Sequence, residues 1–218
     1  MMKATFQHII FDLDGTLTDS KQGILNSIAY AANKMGLRIP EGNEMISFIG
    51  TPLQDLFYGN FGLNPAETNE AVNHFRKYYS ETGLYENFIY PGITDLLKNL
   101  TKYSDLYIAT SKLEKYALAV LKHFDLLKYF KGFAGADAAG LHADKTELVN
   151  KVITANKLRN SGLTVMTGDR FVDVEAAANC GIYSIGVTYG YGSLDEIMSA
   201  KPDYIASNAE ELSRILLF

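Results

Sequence analysis

Four acids of this chain stand where chemistry is possible. Asp12 and Asp14 lie in Phe11-Asp12-Leu13-Asp14-Gly15-Thr16, directly after the apolar run His8-Ile9-Ile10-Phe11. Asp169 and Asp173 lie in Gly168-Asp169-Arg170-Phe171-Val172-Asp173, after a second apolar run at 163–167. A third run, Leu106-Tyr107-Ile108-Ala109, leads into Thr110-Ser111-Lys112. Carboxylates taken out of water without a partner are very costly, so four acids gathered at one place ask for a cation. All-oxygen ligation suits a hard ion such as Mg2+. The histidines His8, His74, His123 and His142 have no zinc-like spacing. The one cysteine, Cys180, excludes a disulfide within the chain and has no base near it in sequence.

Each of these groups also has a plainer reading. An Asp-x-Asp-Gly stretch makes a turn. Thr110 and Ser111 can cap a helix, and Asp169 and Asp173 can be first-turn acids favoured by the helix dipole. Their joint occurrence after three apolar runs is what argues for a site.

The elements that must hold these residues follow from the pattern. Short, wholly apolar runs read as parallel strands buried on both faces. After Tyr90-Pro91-Gly92 the chain alternates: strand 106–110, helix 114–123, strand 132–135, helix 145–156, strand 163–167, helix 172–179, strand 183–187. This predicts an α/β fold, a Rossmann-like parallel sheet core with helices on both faces and right-handed crossovers. Ligands of such sheets sit beyond the carboxyl ends of the strands, where the three polar groups fall.

Residues from about 20 to 90 read differently, as mostly helical with no strand pattern. Ser20 is an expected N-cap, followed by Ile24, Leu25, Ile28 and Met35 at helical spacing. Asn64-Pro65-Ala66-Glu67 carries a cap, a first-turn proline and a capping-box acid. The aromatics Phe48, Phe57, Phe61, Phe75, Tyr78 and Tyr79 are expected to form a small core of their own. The expectation is a separate helical subdomain set into an α/β core.

Composition narrows the function classes. The chain has 218 residues, 47% hydrophobic and 21% charged, with a net charge of -5 and no basic footprint for nucleic acid. No apolar run nears the about 18 residues of a membrane span, and the first residues lack the apolar stretch of a signal peptide. A cytoplasmic protein with no membrane association is the expectation.

Phe11 to Ser20, with Asp12-Leu13-Asp14-Gly15-Thr16 at its centre, resembles the first motif of the haloacid dehalogenase superfamily in its phosphatase form. Thr110 at a strand end resembles the second motif, Lys145 at a helix start the third, and Gly168 to Asp173 the fourth. The order and spacing hold over essentially the whole chain. The resemblance implies a phosphatase in which Asp12 attacks phosphorus and forms an aspartyl phosphate. Asp14 would protonate the leaving oxygen and then activate water. Thr110, Ser111 and Lys145 would bind the phosphoryl group, and Asp12, Asp14, Asp169 and Asp173 would form the Mg2+ site, Asp173 directly or through water. Lys151 competes with Lys145 for its role. The resemblance also implies that residues 18–90 are an inserted α-helical cap on a catalytic core of residues 1–17 and 91–218, with hinges near Leu17-Thr18 and Tyr90-Pro91-Gly92.

The segments Ser47-Phe48-Ile49-Gly50-Thr51-Pro52-Leu53, Thr110-Ser111-Lys112 and Gly186-Val187-Thr188-Tyr189-Gly190-Tyr191-Gly192 are similar to the branch holding phosphoglycolate phosphatases and 5'-nucleotidases. A small phosphorylated metabolite is therefore the implied substrate. A phosphosugar mutase resembling β-phosphoglucomutase is the alternative on the same scaffold. The dehalogenase branch lacks an acid at the position of Asp14.

Overall fold

The run Ile9-Ile10-Phe11 is wholly buried, and the computed structural model, which describes residues 5–40, 42–137, 144–158 and 163–217, makes it the centre of a sheet. Strand β1 (His8–Phe11) is followed by a two-residue strand β2 (Thr18–Asp19). The chain then divides into two compact units. One comprises Met1–Asp19 with Ile89–Phe218, and the other is Ser20–Phe88.

The helical unit contains α1 (Lys21–Lys34), α2 (Asn43–Ser47), α3 (Leu53–Asp55) and α4 (Pro65–Tyr78). Leu56–Asn60 and Tyr79–Gly83 wind as single π turns continuing α3 and α4. The Asn64 side chain accepts from the amides of Ala66 and Glu67 at 3.0 Å each, and the Asn64 amide donates to Glu67 Oε2 at 3.0 Å. Phe48, Phe57, Phe75 and Tyr79 are buried, and Phe57 and Phe61 have ring centroids 5.4 Å apart.

Helix α1 departs from expectation. Its buried residues are Gly23, Ser27, Ile28, Ala31 and Ala32, while Ile24, Leu25 and Met35 are half-buried. Small residues at every fourth position let α1 lie close to the second π turn: a Cβ on Gly23 would meet the Gly83 carbonyl oxygen at 1.8 Å. Ser20 stands at the N-cap position without capping through its side chain.

Strand β3 (Phe88–Ile89) pairs with β2 where the chain crosses back. The rest alternates: α5 (Ile93–Leu100), β4 (Asp105–Leu113), α6 (Glu114–His123), β5 (Phe130–Ala136), α7 (Lys145–Ala155), β6 (Thr164–Gly168), α8 (Phe171–Cys180), β7 (Tyr183–Val187), α9 (Leu194–Ser199), β8 (Tyr204–Ala206) and α10 (Ala209–Leu217). The main sheet has six parallel strands in the order β5-β4-β1-β6-β7-β8. Ile10 packs with Leu148, Val149 and Val152 of α7 and with Ala176 and Ala177 of α8. Its neighbours Ile9 and Phe11, equally buried, turn to the opposite face. Strand β8 was not expected from the sequence: Tyr204-Ile205-Ala206 is too short to show a pattern.

His142 lies outside the described residues. Among those described, no helix is long and apolar enough to cross a membrane.

Candidate active site

Strand β1 runs between β4 and β6, with Phe11 level with Ile108 on one side and Thr167 on the other. The residues that follow these three strands therefore come together at one sheet edge. The Asp12 amide extends the ladder, donating to the Thr167 carbonyl at 2.9 Å. One oxygen each of Asp12, Asp169 and Asp173 lies within 4.8 Å of the others, and all three residues are buried.

Lys145, the first residue of α7, reaches into this group. Its Nζ lies 2.8 Å from Asp12 Oδ1 and 2.9 Å from Asp173 Oδ1, and it donates to the Ala109 carbonyl at 3.2 Å. Lys151, the competing lysine, is exposed. The other oxygen of Asp173 accepts from the Arg170 amide at 3.1 Å and so closes the first turn of α8. Asp173 is thus a helix-turn acid and a member of the cluster at once.

Asp169 is held by two contacts that the sequence did not suggest. Thr16 Oγ1 donates to Oδ1 at 3.2 Å, and the Tyr191 amide donates to Oδ2 at 2.8 Å. Gly15 has φ +86, and a Cβ there would meet Asp169 Oδ2 at 2.2 Å. Gly190 is as tight, with Gly15 O 2.3 Å and Asp169 Cβ 2.4 Å from where its Cβ would be. Tyr189 Oη donates to the Thr16 carbonyl at 3.0 Å, and Tyr191 Oη is bonded to Asp19 at 3.1 Å. The Tyr189-Gly190-Tyr191 segment therefore wraps the turn that carries Asp14. The available signal was the pair of glycines around tyrosines, whose need for space shows only once the strands are paired.

Thr110 is buried at the sheet edge, level with Gly135 of β5. Strand β4 continues to Leu113, three residues beyond the expected end. Its register with β5 jumps from Thr110–Gly135 to Leu113–Ala136, leaving Ser111 and Lys112 outside the ladder as a bulge. Ser111 is exposed beside the site. Lys112 turns to Asp14 and meets its Oδ2 at 2.6 Å.

The electrostatics follow from this crowding. Burial, then repulsion from Asp173, pushes the Asp12 carboxyl up to about 6 against the pull of Lys145. Burial pushes Asp169 up to about 8, with Asp12 and Asp173 adding to it and the Tyr191 amide opposing. Burial works against the charge on Lys145, but Asp12 and Asp173 together outweigh it and the net direction is up. Lys145 therefore stays an ammonium.

Once all three are ionised, the carboxylates of Asp12, Asp169 and Asp173 beside the Lys145 ammonium carry two net negative charges, the charge that one divalent cation would balance; Asp14 is paired with Lys112. The donor set is all oxygen. On these observations the residues fit a hard cation such as Mg2+.

Residues 9–187 match the haloacid dehalogenase-like hydrolase family, and the chain belongs to that family. It is 36% identical over 212 residues to a 5'-nucleotidase from Pseudomonas aeruginosa, covering 97% of this chain and 96% of that protein. A phosphoglycolate phosphatase from Vibrio cholerae is 28% identical over 218 residues, with 96% of each chain covered. The tyrosine-protein kinase PtkA of Mycobacterium tuberculosis is 36% identical over 213 residues, covering 96% of this chain and 72% of its own length. A crystal structure from Clostridium difficile, carrying a phosphatase assignment, superposes with a TM-score of 0.92 at 39% identity, covering 99% of this chain and 100% of that one.

Proposed function

We propose that this chain is a Mg2+-dependent phosphomonoester hydrolase that works through an aspartyl phosphate on Asp12. The observation carrying this reading is a buried carboxylate at the end of the central strand, 2.8 Å from the Lys145 ammonium, with a second acid two residues on. Asp12, Asp169 and the main-chain carbonyl of Asp14 would hold the ion, with Asp173 behind them through water or hydrogen bonds. A bound Mg2+ would supply positive charge to the phosphoryl oxygens and fix Asp12 against phosphorus.

The chain's own residues divide the rest. Asp12 forms a bond to phosphorus as the ester oxygen leaves, and Asp14 gives that oxygen its proton. Thr110, the Ser111 amide and Lys145 hold the phosphoryl oxygens, where charge must be stabilised. In the second half Asp14 takes a proton from water, whose oxygen displaces Asp12. The unit Ser20–Phe88 acts in this proposal as a mobile cap that excludes water during the first step.

The substrate is a small phosphorylated metabolite, phosphoglycolate-like or nucleoside-monophosphate-like, a reading supported by the two phosphatase relatives. The relative named as a kinase makes the acceptor worth testing. Purified protein would be assayed on p-nitrophenyl phosphate with Mg2+ and with chelator, then on a panel of monoesters. Release of phosphate that depends on Mg2+ is expected. Conversion of β-glucose 1-phosphate to the 6-phosphate with little free phosphate would overturn the hydrolase reading, as would transfer from ATP to a tyrosine in place of hydrolysis.

A further inference from the structure

We propose that Lys112 is a positioning residue for the proton transfers of Asp14, an inference that rests on the hydrolase reading above. The two residues belong to different strand ends and meet only because of the bulge in β4. The Lys112 side chain is 7% exposed and that of Asp14 20%, so the contact is not a solvated surface pair. The Lys112 amide donates to Thr110 Oγ1 at 3.3 Å, which ties the bulge to the residue before it.

The contact treats the two oxygens of Asp14 differently. Oδ2 faces the ammonium at 2.6 Å, whereas Oδ1 is buried without a hydrogen-bond partner among the described residues. A buried acceptor left open beside a reaction centre has a use waiting for it. With Oδ2 engaged by the ammonium, Oδ1 is the oxygen left open to exchange a proton with the substrate. The same ion pair fixes the rotation of the carboxyl group, and a general acid must be held within hydrogen-bond reach of the atom it serves.

The step then balances as follows. A bond forms between an Asp12 oxygen and phosphorus while the bond from phosphorus to the ester oxygen breaks. The proton on Asp14 Oδ1 passes to that departing oxygen, giving the free alcohol. Water next returns a proton to Oδ1 as its oxygen bonds to phosphorus and the bond to Asp12 breaks, releasing phosphate.

Holding a proton in place matters most when the leaving group is basic. The test compares p-nitrophenyl phosphate, whose leaving group needs little protonation, with the most reactive alkyl monoester from the panel, both at saturating Mg2+. Lys112→Met should lower kcat on the alkyl ester about a hundredfold and on p-nitrophenyl phosphate less than about tenfold, with KM nearly unchanged. Lys112→Arg should recover most of the loss on the alkyl ester. Circular dichroism checks folding, and Lys112→Gln is read the same way if the methionine variant does not fold.

A loss equal for both esters would overturn the proposal, because it would mean that the lysine only adds charge at the phosphate. A tenfold rise in KM with kcat intact would overturn it in favour of substrate binding. Asp14→Asn separates the two levels of inference. If it shows the leaving-group dependence and Lys112→Met does not, only the positioning role falls; if neither shows it, the acid assignment of Asp14 falls as well.

Discussion

In the α/β unit the charged side chains Asp12, Lys145, Asp169 and Asp173 are buried at one sheet edge, whereas among the described residues of the helical unit the buried polar ones, Ser20, Ser27, Thr68 and Asn87, are all neutral. The helical unit fills its interior with Phe57, Phe75 and Tyr79 and keeps its capping box in solvent. One region is thus organised to hold charge where charge is costly, the other to bury apolar area. Stability and function should therefore respond in opposite ways to substitutions in the two regions.

The largest contrast is expected at Asp12. Asp12→Asn keeps the shape and removes the nucleophilic oxygen, so turnover should fall a thousandfold or more, the scale of nucleophile deletions. The metal-free variant should melt no lower than the parent, because one of three crowded carboxylates is gone. Near-normal turnover would remove Asp12 from the nucleophile role. A large drop in melting temperature would erase the contrast between the regions.

Phe57→Ala tests the other side. This side chain is wholly buried. Its loss should cost about 3–5 kcal/mol, the usual range for a buried phenylalanine. Chemical denaturation measures this. A cost below about 1 kcal/mol would mean that the aromatic cluster is not the core of the helical unit.

These expectations were unevenly legible in the sequence. Asp12, Asp14, Thr110 and Asp169 stood out because each follows an apolar run, and strand ends are a local signal. Lys145 had no such signal: a lysine at a helix start is ordinarily solvated, and only the pairing of α7 with β4 and β1 brings it to Asp12. Lys112 was visible as part of a group but not as a partner of Asp14, since a bulge depends on the neighbouring strand. The same holds for Tyr191, whose amide reaches Asp169 from after β7. In the helical unit the capping box was legible because it spans four residues. The close face of α1 was not, because Gly23, Ser27 and Ala31 carry no hydrophobic pattern.

A third test uses pH. The folded values of Asp12 and Asp169, about 6 and about 8, lie above the ordinary 3.8 of an unfolded carboxyl. The native state therefore holds these protons when the unfolded chain has released them. Their contribution to stability is full below about pH 4 and is lost as pH rises through 6 and then 8. Through these groups the metal-free protein should become less stable from pH 5 to pH 8.5. Mg2+ should raise the melting temperature more at pH 8.5 than at pH 5, since it binds the ionised acids. An equal rise at both pH values would show that the cation binds elsewhere.

The smallest expected effect is at Asn64, and it sharpens the comparison because it leaves the charged cluster untouched. The Asn64 side chain satisfies two amides of α4 that have no partner within the helix, and Glu67 accepts from the Asn64 amide just before it. Asn64→Ala removes the first two bonds but leaves Pro65, whose fixed φ still favours the helix start. The cost should be about 1 kcal/mol, typical of an N-cap in water. Because the bonds are exposed, water replaces them, and the penalty of a buried orphan does not arise. Activity on p-nitrophenyl phosphate below the melting transition should stay within twofold of the parent. A stability loss with unchanged kcat keeps the two regions energetically separate. A tenfold fall in kcat at full folding would instead mean that the start of α4 takes part in turnover, and the helical unit could no longer be treated as a purely apolar counterpart to the charged site.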